Sequence, residues 1–223
     1  MELLYNKIDW GTEQLWKGCI LAGLVHAIMV AHYPFIANEH SWDGQNYSVQ
    51  DSSGQRGTVS FSQNCCVAAF RNDNSKRIEK MLKPEQFFVG ASDEILKLAN
   101  SEALQYLLDE VDGEIRPVIT TAFWGKDLLF SNDSFDEMLL NGGNLLKYQA
   151  LDVTAAIQLW KEFYDMSEKQ LQLLKSIFNR KVYNYNNLII MSIEEINMIG
   201  TGNQDNLNES KISFEEMGIH FKY

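Results

Sequence analysis

Residues 42–71 hold three short apolar-alternating runs separated by turn residues, and no other stretch restricts the fold so tightly. WDGQNYSVQ, GTVSFSQ and CCVAAFR alternate, or nearly alternate, apolar and polar positions, the period of a strand packed on one face. Asp43-Gly44 and Asp51-Ser52-Ser53-Gly54 between them supply the residues that tight turns need. These features predict an antiparallel meander over residues 46–71, with Tyr47, Val49, Val59, Phe61, Val67 and Ala69 on one face.

Before it, residues 12–32 read as a helix. Thr12 can cap it, Glu13 suits the first turn, and Tyr33-Pro34 ends it. Residues 18–31 are apolar apart from His26. That run falls short of the roughly 20 residues a bilayer crossing needs, so a buried helix is expected and no membrane partner. A helix from Ser92, closed at Asp112-Gly113, should lead into a strand over residues 115–124. Capping-box patterns at Ser134, Ser167 and Ser192, each with Glu or Gln three residues on, mark helix starts in a mainly helical C-terminal half. Val153, Ala156, Ile157, Trp160 and Tyr164 form one helical stripe; Leu171, Leu174 and Ile177 form another, so a helix hairpin is expected about residues 165–167. Gly142-Gly143 reads as a helix stop, residues 184–191 and 219–223 as strands, and residues 202–209 as a polar loop.

With 223 residues, 45% of them hydrophobic, the chain can bury a substantial core. The fold class expected is α+β: an antiparallel sheet, built from the meander and later strands, packed against a central N-terminal helix and C-terminal helices in a single domain. Thirty acidic against 19 basic residues give a net charge of −11, a field that repels nucleic acid and suits a basic protein partner. Cys19, Cys65 and Cys66 make neither a disulfide framework nor a zinc pattern, and residues 1–10 lack a leader-like pattern, so the cytoplasm is the expected compartment. Adjacent Cys65 and Cys66 should face opposite ways, one of them in the core.

No stretch carries the spacing of a nucleotide, calcium or zinc site, so no cofactor and no metal are expected. His26, within the apolar helix, should donate to a nearby acceptor. The segment from Arg71 to Lys83 is basic; Arg71, Arg77 and Lys80 are its candidates for an acidic ligand. Two functions from different classes suit this profile. One is an interaction protein, of the antidote or immunity type, that masks a basic partner through Asp93, Glu94, Glu102, Asp109 and Glu110. The other is a small hydrolase or ligand-binding enzyme in which His40 works with Asp43 and Glu39 beside Trp42, with Arg71 as a further ligand contact.

Overall fold

The computed structural model describes residues 5–63, 65–80 and 82–222. In chain order the first elements are β1 (Asn6–Gly11), α1 (Thr12–Met29), β2 (His40–Asp43), β3 (Asn46–Gln50), β4 (Gln55–Phe61), β5 (Cys66–Asn72), α2 (Lys76–Lys80) and α3 (Asp93–Ser101). Next come β6 (Leu108–Val111), β7 (Glu114–Pro117), β8 (Thr121–Gly125), β9 (Leu128–Ser131) and α4 (Phe135–Leu140). The rest are α5 (Val153–Tyr164), α6 (Glu168–Tyr183), β10 (Ile189–Met191), α7 (Ile193–Ile199), α8 (Gln204–Glu216) and β11 (Ile219–Phe221). The fold is α+β, as its patterning predicts. Its contacts group into two units, Met1–Glu13 with Gln45–Ala150 and Gln14–Gly44 with Leu151–Tyr223.

The sheet of the first unit has six antiparallel strands in the order β1-β9-β8-β5-β4-β3, and β2 belongs to the second unit. Register decides which side chains share a face. Tyr47 opposes Val59 across β3 and β4, but β4 and β5 pair odd-numbered positions with even-numbered ones, Val59 with Ala68 and Phe61 with Cys66. Tyr47, Val59 and Phe61 therefore share a face with Ala68 and Phe70. Val67 and Ala69 point the other way, contrary to expectation, because the β4–β5 connection shifts the register by one residue. There they join Cys65, Phe87, Leu104 and Trp124 in a core closed over by α3 and the tight turn Ala103–Leu107. Both faces of β5 are buried, so Cys65 and Cys66 are buried alike, not one of them alone.

Ser92 caps α3, its hydroxyl accepting from Ile95 N at 3.4 Å. The helix then stops at Ser101, well short of Asp112. Asp112-Gly113 does not end a helix: with φ of 54° and 81° it turns the hairpin of β6 and β7, the backbone that two-residue hairpin loops require. The single strand expected over residues 115–124 is two, β7 and β8. Ser134 caps α4 as predicted, but its box is half formed: Glu137 extends to Arg77 at 3.1 Å.

In the second unit α1 has 13 of its 18 residues buried, which accounts for its lack of a polar face. Neighbouring elements satisfy the carbonyls near its end: Ser210 Oγ donates to Ala27 O at 2.5 Å and Asn206 Nδ2 to Ala31 O at 3.2 Å. The helix closes at Met29, and Pro34 opens a short 3-10 turn. Asp152 caps α5, and reciprocal capping boxes at Ser167–Gln170 and Ser192–Glu195 start α6 and α7. Asp165, left-handed at φ 49°, turns α5 into α6, giving the expected hairpin. The polar loop expected over residues 202–209 is mostly helix instead: Asn203 Oδ1 accepts from Asp205 N and Asn206 N and nucleates α8. β10 and β11 form a short parallel pair, shorter than the strands expected; Tyr223 lies outside the described residues. No helix among the described residues is long and apolar enough to cross a membrane.

Candidate functional site

β2 has four residues and alternates strictly. His40 and Trp42 turn inward, Ser41 and Asp43 outward. His40 and Asp43 are three positions apart along the strand, which puts them on opposite faces, so the structure does not assemble them as a base with its carboxylate. Asp43 acts by its charge on Glu216 instead. Burial first, and then the Asp43 charge, raise the Glu216 carboxyl, partly offset by the bond it accepts from Trp42 N at 3.0 Å. Trp42 fills the space above Gly23, where a β-carbon would lie 2.6 Å from the indole Nε1. It packs as core, with Tyr185 at 6.4 Å.

His40 lies against a second imidazole that the sequence does not mark. The ring centroids of His26, on α1, and His40 are 5.3 Å apart, and Trp160 of α5 meets His40 edge-on at 6.1 Å. Burial drives both histidines toward the neutral form. It lowers His26 to about 4, opposed by the Ala37 backbone, and lowers His40 to about 3, helped by the charge His26 would carry. The Ala37 backbone, which favours the protonated ring, is the acceptor nearest to the bond expected of His26, although neither ring nitrogen reaches it with ordinary hydrogen-bond geometry. A base this weak holds few protons at neutral pH, and the pair is poorly suited to general-base work.

From His40 an aromatic series runs outward. Trp160 stacks on Tyr164 at 5.9 Å and 15°, Tyr164 meets Phe163 at 4.7 Å and Tyr33 at 5.8 Å, and Tyr33 meets Phe35 at 6.0 Å. At its outer end Phe35 is 83% exposed and Phe163 63%. Half-buried Glu39 acts here too: after burial, its charge is the next cause raising the Tyr164 phenol. Glu39, His40 and this aromatic rim thus share one region, which sequence spacing could not show because α5 lies more than a hundred residues beyond β2.

In the first unit the residues expected to serve ligand and partner are partly tied to one another. Arg71 pairs with Asp73 at 2.6 Å and with Asp109. Burial works against its charge, yet the two carboxylates hold its pKa above the ordinary value, and the guanidinium in turn lowers Asp109. Arg77 is similarly engaged, bidentate on Asp133 at 2.7 and 2.9 Å. Glu102 accepts from Asn46 Nδ2 at 2.8 Å. Asp93 and Glu94 are exposed in the first turn of α3, and Glu110 is exposed on β6.

Around Glu110 the structure adds a feature that the sequence reading misses. Glu110 pairs directly with Ile115 across the β6–β7 ribbon, so those two and Leu108 share one face. Ile115 is 75% exposed, and Asp112 and Glu114 at the turn are exposed as well. The signal was the Asp112-Gly113 dipeptide between two strand-like tetrapeptides. Among the described residues no three His, Cys, Asp or Glu side chains converge as a metal site. No protein-family profile, curated protein or solved structure matches this chain.

Proposed function

We propose that the protein binds a basic protein partner through the first unit, in the manner of an antidote that covers a cationic working surface. The observation that carries this reading is the exposed face of the β6–β7 ribbon, where Leu108 and Ile115 flank Glu110 with Asp112 and Glu114 close by. Apolar anchors bordered by carboxylates suit an amphipathic basic surface: the anchors supply affinity and the charges supply orientation and encounter rate. Asp93 and Glu94 extend the acidic surface on α3; Glu102 and Asp109, held by Asn46 and Arg71, shape it more than they contact a partner. The net charge of −11 likewise favours a basic partner. A reducing, cytoplasmic setting goes with this role, and three buried cysteines outside any disulfide suit it.

The test is quantitative binding to a purified partner obtained by affinity capture. Its Kd should weaken roughly tenfold or more between about 50 and about 300 mM salt. It should weaken again when Asp93, Glu94 and Glu110 are changed to Lys, and when Ile115 is changed to Ala. A Kd indifferent to salt and to these substitutions overturns the proposal, as does a partner that is itself acidic.

A further inference from the structure

We infer that Tyr33, Phe35 and Phe163, with Glu39 beside them, form a receptor on the second unit for an arginine side chain of a basic partner. This rests on the reading of the protein as a binder of basic proteins, and it names a second contact remote in sequence from the ribbon.

Large apolar side chains scattered singly on a surface need no explanation, but these are joined. Phe35 and Phe163, at 83% and 63% exposure, are linked ring to ring through Tyr33 and Tyr164 at separations of 6.0, 5.8 and 4.7 Å. The inner members hold the outer ones. Tyr164 is stacked on buried Trp160, and Tyr33 donates to Tyr164 O at 3.5 Å, so the inner rings on which Phe35 and Phe163 rest are in place before anything binds. A preorganised aromatic surface loses little entropy on binding.

Charge selects the occupant. The Glu39 carboxylate is near enough to act on Tyr164, while Glu162 and Asp165 are exposed on either side of Phe163 and Tyr164 in sequence. The neighbouring cation, Lys161, is bound to Glu168 at 2.7 Å. Behind the rim the two imidazoles are neutral at physiological pH, so they add no repulsion. The negative faces of aromatic rings and a nearby carboxylate both attract a cation, and the flat guanidinium stacks on rings better than an ammonium does. An anionic or purely aliphatic occupant would gain nothing from those carboxylates.

The experiment measures binding of a fluorescein-labelled peptide of alternating Arg and Gly by anisotropy, with citrulline in place of Arg as the neutral isostere. Two variants are compared with the wild type: Phe35→Ala with Phe163→Ala, and the first-unit variant with Asp93, Glu94 and Glu110 changed to Lys. The aromatic variant should bind the Arg peptide about tenfold more weakly, the scale of one or two cation–π contacts. The citrulline peptide should bind weakly to every form. Because both phenylalanines project into solvent, the variant should keep the wild-type melting temperature. Two results overturn the inference: wild-type binding by the aromatic variant, or equal binding of the two peptides. If the aromatic variant binds normally and only the first-unit variant fails, the aromatic rim is ruled out while the ribbon surface stands. If only the aromatic variant fails, the receptor is supported whatever becomes of the ribbon.

Discussion

His26 and His40 fold as neutral rings, and that ties stability to acidity. Burial lowers His26 to about 4 and His40 to about 3, so the unfolded chain takes up protons that the folded chain refuses. Because both folded values are depressed, the stabilisation is complete above about pH 6.5, where an unfolded histidine is already neutral. It is lost as pH falls through the window from there toward 4 and 3, at about 1.4 kcal/mol per pH unit for each proton taken up only on unfolding. Urea midpoints should therefore drop steadily between about pH 7 and about pH 5. In the folded protein the ring-proton NMR signals of these two histidines should stay fixed over that range. Midpoints near 6.5 for both rings would show that they are hydrated. Sequence alone could not separate this reading of His40 from a catalytic one. A polar cluster at residues 39–43 suits either, and what decides is the apolar cover from His26 and Trp160.

Among the helices, α1 allows a test whose sign is informative. Replacing Gly by Ala inside a helix ordinarily stabilises it by up to about 1 kcal/mol. At Gly23 the added carbon would meet Trp42, 2.6 Å from Nε1 and 3.0 Å from Cδ1, and the buried indole has little room to move. Gly23→Ala should therefore destabilise by about 1–3 kcal/mol, the usual cost of overpacking, and lower the melting temperature. A higher melting temperature would mean that Trp42 does not close over the helix. Elements whose causes are local were legible in advance. The α5–α6 hairpin and the caps at Ser92, Ser167 and Ser192 depend on neighbours within three or four residues. Elements fixed by distant partners were not. β1 presents one buried apolar residue, Ile8, and is held as a strand by β9; α8 buries only Ser210 and Phe214, too sparse a stripe to notice. Asp112-Gly113 was ambiguous, since the same pair can stop a helix or turn a hairpin.

The whole molecule divides in a way that truncation would expose. The second unit draws on Gln14–Gly44 and Leu151–Tyr223, on either side of most of the first. A fragment of residues 1–150 keeps α1 but lacks α5 to α8, leaving Ile20, Leu24, Ala27 and Ile28 without much of the cover that hides them. Such a fragment should bind the dye ANS and self-associate, whereas the full chain should do neither; a monomeric fragment silent to the dye would show that α5 to α8 are not what hides α1. Composition gave the sign of the charge at this scale but not its placement, since Asp109 and Asp133 pair with internal arginines while Glu110 stands exposed. The same interrupted layout bears on synthesis. On the ribosome the greasiest helix, α1, is made well before α8, whose Ser210 and Asn206 reach its end and which begins only at Gln204. At about 5–20 residues per second the nascent helix waits roughly 10–35 s for those companions, and through that interval it is a natural client for a chaperone.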